Sequence, residues 1–276
     1  MNYKLAFIGV GNMATATLLG ISSGADESFD WKKIILFDSN AEKLESYRER
    51  GAYIASSLFD AIESADIVFL CVKPQNFPEI LPEFSRISNV ESKIFVTIAA
   101  GISMKTVSDA ACGAAVVRVM PNTPMLIGNG MIALCRNDKV SDEVFCYISD
   151  VFKSSGNVIT IDESQMNRII SVTGSSPAYV FMMIKAMYQG AVEQGLLGEN
   201  LSEKDIIDSI CNAIIGSAEL MKAGNKTPDE QIATVCSKGG TTERAVNELN
   251  NYKFCEGIVS AMEKCTQRAD ELGASK

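Results

Sequence analysis

The chain has 276 residues, of which 47% are hydrophobic and 21% are charged, a composition typical of a globular protein with one large domain or two of ordinary size. Its net charge of −9 argues against nucleic acid or an anionic membrane as a partner, because both require basic patches. The absence of histidine excludes a histidine-based catalytic triad and most zinc sites.

Cysteine content and hydropathy favour a cytoplasmic protein. Eight cysteines are scattered without a C-x-x-C pair, as expected of buried, reduced thiols and not of disulfides or a metal site. The sequence does not open with a charged segment followed by a long apolar core, so no signal peptide is predicted. No apolar run reaches the ~18 residues of a membrane span, and Lys185 interrupts the apolar stretch PAYVFMMIKAM.

The first predicted element is a buried strand over Leu5–Ile8 that runs into a glycine-rich turn and then a helix. The turn, Gly9-Val10-Gly11-Asn12-Met13-Ala14, has the pattern G-x-G-x-x-A. The first glycine permits a tight turn, the second lets a pyrophosphate approach the backbone, and the small third residue lets the helix pack on its strand. Because N–H groups at the start of a helix favour an anion, the pattern predicts a dinucleotide site.

A second strand is predicted over Lys33–Phe37, ending at Asp38. An acidic residue at this position typically binds the adenosine ribose hydroxyls and disfavours a 2′-phosphate, which would favour NADH. Ser39 and Asn40 could instead hydrogen-bond a phosphate. The choice between NADPH and NADH therefore stays open.

Three near-continuous apolar runs predict further strands that are covered on both faces. They are Asp66–Val72, Lys93–Ile98 and Ala115–Met120. The segments that follow them are Lys73-Pro74-Gln75, Ala99-Ala100-Gly101 and Pro121-Asn122-Thr123-Pro124. Ligands of doubly wound sheets bind outside the carboxyl ends of the strands, so these segments are candidate walls of the site. Shorter strand patterns follow at Met131–Cys135 and Asn157–Ile161.

The pattern changes to helical near Asp162, which predicts a Rossmann-type doubly wound α/β domain over 1–162 and an all-helical domain over 163–276. The helical stretches are 163–171, 176–197, 202–223, 228–236 and two more toward the C-terminus. The predicted helix starts are Ser39-x-x-Glu42, Ser103, Ser202-x-x-Asp205 and Thr227-Pro228-x-Glu230, which match capping patterns. Stripes rich in Ala, Gly, Met and Leu suggest faces that are shared with another subunit.

Two unusual segments interrupt the helical half. Thr173-Gly174-Ser175-Ser176-Pro177 precedes the longest apolar helix, and Ser237-Lys238-Gly239-Gly240-Thr241-Thr242-Glu243 lies between two helices. A glycine pair followed by hydroxyl residues at a helix start exposes N–H donors suited to a carboxylate. A simple interhelical turn would need only one glycine and no cluster of Ser and Thr.

These segments together resemble pyrroline-5-carboxylate reductases over essentially the whole chain. The matching motifs are, in order, IGVGNMA, VKPQ, AAGIS, RVMPNTP, TGSSPAYVF and SKGGTTERAV. The combination of RVMPNTP and SKGGTT is far more specific than the nucleotide turn alone. The resemblance implies a Rossmann domain followed by a helical domain that interlocks with a second subunit, in homodimers that often assemble into decamers. It also implies reduction of 1-pyrroline-5-carboxylate to L-proline with NADPH or NADH, the last step of proline biosynthesis.

The resemblance further implies roles for individual residues. Gly9, Val10, Gly11, Asn12, Met13 and Ala14 would hold the pyrophosphate, with Asp38, Ser39 and Asn40 near the ribose. Val72, Lys73, Pro74, Ala99 and Ala100 would line the nucleotide, and Pro121 and Asn122 would lie toward the nicotinamide. Gly239, Gly240, Thr241 and Thr242 would bind the substrate, its carboxylate on backbone N–H groups and its ring nitrogen at the catalytic Thr242, while Ser175 and Ser176 would close the pocket.

The sequence departs from the family pattern at two positions. Many relatives carry an arginine where Ser39 stands, which together with Asp38 weakens the case for strict NADPH use. Ser176 stands where many relatives have a glycine, which could tighten the substrate pocket. A six-membered cyclic imine carboxylate stays open as an additional substrate.

The sequence argues against two other functions. A β-hydroxyacid dehydrogenase would need a lysine where Phe181 stands, and Lys185 lies one turn further on, a displacement of about 6 Å at 1.5 Å rise per residue. A non-catalytic nucleotide sensor on the same fold would be expected to carry a degraded substrate loop, whereas Gly239–Thr242 is intact.

Overall fold

A computed structural model of the chain describes residues 3–23 and 29–274. Its strands form one sheet in the order β3-β2-β1-β4-β5-β6-β7-β8. The strands are β1 (Leu5–Ile8), β2 (Ile34–Phe37), β3 (Tyr53–Ile54), β4 (Ile67–Leu70), β5 (Ile94–Thr97), β6 (Ala115–Met120), β7 (Gly130–Arg136) and β8 (Gly156–Thr160). All seven predicted strands are confirmed to within two residues at each end, and only the two-residue edge strand β3 was missed.

The order in which successive strands are added to the sheet reverses at β1, which pairs in parallel with β2 on one side and β4 on the other. Neighbouring strands from β3 to β6 are all parallel. Strand β7 is antiparallel to β6, and β8 is parallel to β7. The carboxyl ends of β1, β4, β5 and β6 therefore share one edge, which is where ligands of doubly wound sheets bind.

Apolar residues cover both faces of the sheet, as the near-continuous apolar runs predict. Along β1, Leu5 and Phe7 pack into one core while Ala6 and Ile8 pack into the other, because successive side chains of a strand point to opposite faces. Phe7 stacks on Phe69 of the neighbouring strand with ring centroids 4.5 Å apart.

The helices begin and end close to their predicted limits. They are α1 (Asn12–Ser23), α2 (Glu45–Glu49), α3 (Leu58–Glu63), α4 (Phe77–Ile80), α5 (Met104–Ala110), α6 (Asp142–Lys153), α7 (Met166–Ile169), α8 (Ser176–Glu193), α9 (Glu203–Ala223), α10 (Pro228–Val235), α11 (Thr241–Asn251) and α12 (Phe254–Ala274). Helix α8 ends four residues before its predicted limit because Gly195 adopts φ +76 and the Leu196 N–H turns back to the Ala191 carbonyl.

The predicted caps at Ser103, Ser202 and Thr227 are confirmed, because each side chain accepts a hydrogen bond from a backbone N–H of the following turn. The cap predicted at Ser39 is wrong. Asn40 caps the next turn instead, accepting from the Glu42 N–H at 3.0 Å.

By contacts, the described residues divide into one unit within Met1–Pro177 and Lys264–Lys276 and a second unit of Ala178–Glu263. This contact division differs from the predicted boundary near 162 because the segment after β8 packs into the first unit. Met166 and Ile170 belong to the core under the sheet.

Arg118 anchors this segment. The residue lies on β6 with its side chain 3% exposed; it donates to the Asn167 amide oxygen at 2.6 Å and lies 3.7 Å from the Glu163 carboxylate. Asn167 donates in turn to Asp270 of α12 at 2.8 Å. Burial lowers the pKa of Arg118, which the nearby Glu163 carboxylate opposes. Burying a guanidinium without such partners would be energetically costly, so these contacts are favoured. Through them, Arg118 holds the segment after β8 and, by way of Asn167, helix α12 to the sheet.

One helical stretch of the described residues, Glu163–Glu193, is long and apolar enough to cross a membrane by length and composition alone. Length and composition of a single helix are weak evidence for a membrane span.

Arg118→Ala should lower the free energy of unfolding by about 3 kcal/mol, because it removes the cation that pairs with a partly buried carboxylate and leaves a cavity. Urea unfolding followed by circular dichroism measures the change. Lys105→Ala, which breaks an exposed ion pair with Asp109, is the control and should leave stability unchanged. Equal effects of the two substitutions would contradict an anchoring role for Arg118.

Candidate nucleotide and substrate site

The glycine turn after β1 has the geometry that its sequence predicts. Gly9 adopts φ +87, and a Cβ there would lie 2.9 Å from Val72 Cγ1 and 3.1 Å from the Val72 nitrogen, so only glycine fits. A Cβ on Gly11 would meet nothing within 4 Å, which leaves open space in front of its backbone. Ala14 is fully buried, as the close packing of α1 on the sheet requires.

Asp38 joins the end of β2 to this turn. One carboxylate oxygen accepts the Val10 N–H at 2.7 Å, and the other accepts the Asn40 N–H at 2.8 Å. The Lys43 ammonium lies 3.3 Å away. Burial opposes ionisation, but the N–H groups of Asn40 and Val10 and the charge of Lys43 outweigh it, so the pKa of Asp38 lies below its ordinary value. The carboxylate therefore stays charged and holds the glycine turn.

The two residues after Asp38 are both exposed. The Ser39 hydroxyl does not form the predicted cap, because the Asn40 amide oxygen accepts the Glu42 N–H instead. The Lys43 ammonium at this edge adds a cation that the sequence reading did not include.

The segments after β4 and β5 lie along the same edge of the sheet. Val72 and Pro74 are half-buried, whereas Lys73 is exposed and forms no ion pair with a residue in 3–23 or 29–274. Ala99 is buried and Ala100 is half-buried. Small side chains beside a free ammonium are suited to the flat surface and negative charge of a nucleotide.

The first two residues after β6 are buried. Pro121 is buried, and Asn122 is 8% exposed. The Asn122 amide is already engaged on both sides: its oxygen accepts the Met131 N–H at 2.9 Å and its nitrogen donates to the Thr173 carbonyl at 3.0 Å. Asn122, the predicted neighbour of the nicotinamide, therefore also connects two segments of the protein by hydrogen bonds.

The segment Ile170–Gly174 forms a single turn of π-helix, where the sequence predicts the end of an α-helix and a loop. The Ser175 N–H donates to the Ile170 carbonyl at 2.7 Å. The Ser175 hydroxyl lies 3.2 Å from the Cys265 thiol, and Ser175 and Ser176 are both half-buried. Single π-helical turns are rare and are frequent at functional sites.

The second glycine segment opens α11 in the second unit. Gly239 adopts φ +75, and a Cβ on Gly240 would lie 2.5 Å from the Ser237 hydroxyl oxygen. The Gly240 N–H donates to the Ser237 carbonyl at 2.9 Å. Thr241 and Thr242 are exposed, and their N–H groups, in the first helical turn, have no partner within the helix.

Glu243 is a member of this loop that sequence reasoning did not assign. Its carboxylate accepts the Gly239 N–H at 2.7 Å, which fixes the turn and occupies one of the predicted anion-binding donors. The signal for this contact was its position in the first turn of α11, where glutamate commonly reaches back to a preceding N–H.

The described residues contain no group of three or more Cys, Asp or Glu side chains that could hold a metal ion. All eight cysteines are free thiols. Burial raises the pKa of Cys71 and of Cys135 to about 12, so neither is a reactive thiolate at neutral pH.

Two family profiles match the chain. One described as pyrroline-5-carboxylate reductase dimerisation matches residues 163–272, and one described as NADP oxidoreductase coenzyme F420-dependent matches residues 4–101. The pyrroline-5-carboxylate reductase of Corynebacterium melassecola is 32% identical over 98% of both chains. That of Escherichia coli is 31% identical over the full length of both.

Solved structures agree with this similarity. A pyrroline-5-carboxylate reductase from Streptococcus pyogenes is 27% identical, with a TM-score of 0.86 over 98% of both chains. The pyrroline carboxylate reductase of Plasmodium falciparum, solved with NADP bound, superposes with a TM-score of 0.87 at 24% identity over 99% of this chain and 98% of its own.

Asp38→Asn should lower the free energy of unfolding at pH 7 by about 1–2 kcal/mol, because an amide cannot replace a carboxylate that accepts two backbone N–H groups. The lowered pKa means that the carboxylate stabilises the fold above its ordinary pKa of 3.8 and ceases to do so as the pH falls through the lowered value. The difference between parent and variant should therefore close in acid.

Urea titrations at pH 7, 5 and 3 measure this difference. Asp150→Asn, at an exposed pair with Lys153, is the control and should show no difference at any pH. A gap between the parent and Asp38→Asn that is the same at pH 7 and pH 3 would contradict the assignment.

Proposed function

The chain belongs to the pyrroline-5-carboxylate reductase family, and on that premise we propose which of its residues bind the nucleotide and the imine. The protein is an NAD(P)H-dependent oxidoreductase that reduces 1-pyrroline-5-carboxylate to L-proline, the last step of proline biosynthesis. The observation that carries this function is full-length similarity at 32% identity combined with an open glycine turn at the sheet edge.

For the nucleotide, we propose that Gly9–Ala14 holds the pyrophosphate. The open space at Gly11 and the start of α1 fit a phosphate group, and the free ammonium of Lys73 supplies a cation at the same edge. Asp38, Ser39 and Asn40 would surround the adenosine ribose, and Val72, Pro74, Ala99, Ala100 and Pro121 would line the rest. Because Asp38 already accepts two N–H groups and Lys43 adds positive charge, both NADPH and NADH remain compatible with this end of the site.

For the substrate, we propose that the loop Gly239–Thr242 holds the carboxylate. Since Glu243 occupies the Gly239 N–H, the N–H groups of Thr241 and Thr242 are the donors that remain for it. The Thr242 hydroxyl would hydrogen-bond the ring nitrogen, and Ser175 and Ser176 are proposed as further substrate-binding residues.

The reaction demands little acid–base chemistry from the protein. Bound NAD(P)H supplies the hydride. A protonated cyclic imine is already electrophilic at carbon, so the protein has only to orient the ring, hold its carboxylate and exclude water. A reaction that needs no strong acid or base is consistent with a chain without histidine. The groups proposed to contact the imine are hydroxyl and backbone N–H groups.

The match to a dimerisation family indicates that the protein is a homo-oligomer. We infer that residues 163–276 form the dimerisation domain and residues 1–162 the nucleotide domain, with a homodimer as the unit and a decamer as the higher assembly. Helix α8 supports this inference, because none of its residues is buried within the described chain and Phe181 and Met182 are 64% and 71% exposed. A second copy of the chain would cover such a face, so a membrane is not needed to bury it. Together with the net charge of −9, this leads us to infer a cytoplasmic enzyme without a membrane or nucleic-acid partner.

Thr242→Ala should lower kcat/KM for the imine by about 10- to 100-fold, because it removes the proposed hydrogen bond to the ring nitrogen. Initial rates of NADPH and NADH oxidation with 1-pyrroline-5-carboxylate measure the change. Thr242→Ser keeps the hydroxyl and should retain most of the activity. Unchanged kinetics in Thr242→Ala would remove this residue from the mechanism, and a parent protein that binds nucleotide without turnover would favour the nucleotide sensor.

Gly11→Ala should weaken NADPH binding at least tenfold without loss of stability, because its methyl group would enter the space proposed for the pyrophosphate and meets no protein atom within 4 Å. Gly9→Ala should instead destabilise the fold, because its Cβ clashes with Val72 at a positive φ. Nicotinamide fluorescence titration and thermal melting distinguish the two effects. Normal NADPH affinity in Gly11→Ala would place the pyrophosphate elsewhere.

A further inference from the structure

We propose that Asn122 is a positioning residue, whose buried amide holds the π-helix Ile170–Gly174 so that Ser175 is presented to the imine. On this view Asn122 acts through Ser175 and not by touching the nicotinamide. The inference rests on the proposed function, which places Ser175 in the substrate pocket.

The need for Asn122 begins with Pro177. In an α-helix, the Thr173 carbonyl would accept the N–H of the residue four positions later, and that residue is Pro177, which has no N–H. The Asn122 side chain supplies the missing donor at 3.0 Å. The Ser176 hydroxyl also approaches this carbonyl, at the longer distance of 3.5 Å.

The same amide leaves little capacity for a ligand. Its oxygen accepts the Met131 N–H at 2.9 Å, its nitrogen is engaged at Thr173, and the residue is only 8% exposed. These bonds use one N–H and one lone pair of the amide, and the donor and acceptor sites that remain belong to a buried side chain, so a nicotinamide has little access to them.

The π-helix determines where Ser175 lies. The Ser175 N–H reaches back five residues to the Ile170 carbonyl at 2.7 Å, so the turn contains one residue more than an α-helical turn. The Ser175 hydroxyl lies 3.2 Å from the Cys265 thiol of α12. If the Asn122 clamp were lost, the turn could relax toward an α-helical or open conformation and carry the hydroxyl away from its place.

A matched comparison exists at the opposite end of β6. Asn137 lies beyond the opposite end of β6 and makes the same two kinds of bond, accepting the Val116 N–H at 3.1 Å and donating to the Ala114 carbonyl at 3.1 Å. Substitution of Asn137 therefore measures the general cost of losing such an amide far from the proposed substrate.

The experiment is a double-mutant cycle with Asn122→Ala, Ser175→Ala and the double variant in the full-length enzyme. Each single substitution should raise KM for 1-pyrroline-5-carboxylate about tenfold, and the double variant should also show about tenfold, because both act on one contact. The dissociation constant of NADPH should stay within about twofold of the parent. Asn137→Ala should leave both quantities within about twofold. Asn122→Asp, which keeps the acceptor for Met131 but loses the donor to Thr173, serves in the cycle if the alanine variant does not fold.

Three outcomes would overturn the inference. A roughly hundredfold effect in the double variant would mean that the two residues act independently. A tenfold loss of NADPH affinity in Asn122→Ala with an unchanged KM for the imine would mean direct contact with the nicotinamide. An equal rise in KM for Asn137→Ala would reduce the effect to general destabilisation.

A fourth outcome tests the premise separately. An unchanged KM in Ser175→Ala would remove Ser175 from the substrate pocket and this inference with it. The proposed reaction itself would stand or fall by the Thr242 variants.

Discussion

The candidate site depends on how closely the turn after β1 approaches the strands on its two sides. The Gly9 N–H donates to the Phe37 carbonyl of β2 at 2.8 Å, and the Cys71 N–H donates to the Ile8 carbonyl of β1 at 2.8 Å. Any side chain at Gly9 would collide with Val72. The turn is therefore fixed from both sides by backbone contacts within the protein itself, which limits the ordering that nucleotide binding has to add.

The parts of the fold that could be predicted from the sequence are those that depend on local patterns. The parallel strands are apolar on both faces, so each is a continuous run that ends where the polar or small residues of the site begin. Strand β3 was missed because two residues carry no pattern, and Asn40 displaced Ser39 as a cap because both residue types can accept the same N–H.

What the sequence could not predict is which side chains satisfy backbone groups far along the chain. The Asn122 amide reaches Thr173 across 51 residues, and Arg118 reaches Asn167 across 49. Neither contact follows from spacing, because it depends on where the segment after β8 packs. One local clue was present: Pro177 removes the α-helical donor for the Thr173 carbonyl, which leaves that carbonyl open to a donor from elsewhere in the fold.

The helical half illustrates why an apolar sequence does not by itself identify its environment. Helix α8 is apolar enough for a membrane span within Glu163–Glu193, and Phe181 and Met182 are exposed in the single chain. Yet it follows a π-helical turn that is held by Asn122 and Cys265, and it carries Lys185 in its middle, an ammonium that would be costly among lipid chains. The face of a second subunit can bury the apolar side chains while the lysine reaches solvent. The same residues therefore fit a subunit interface, in agreement with the match to a dimerisation family.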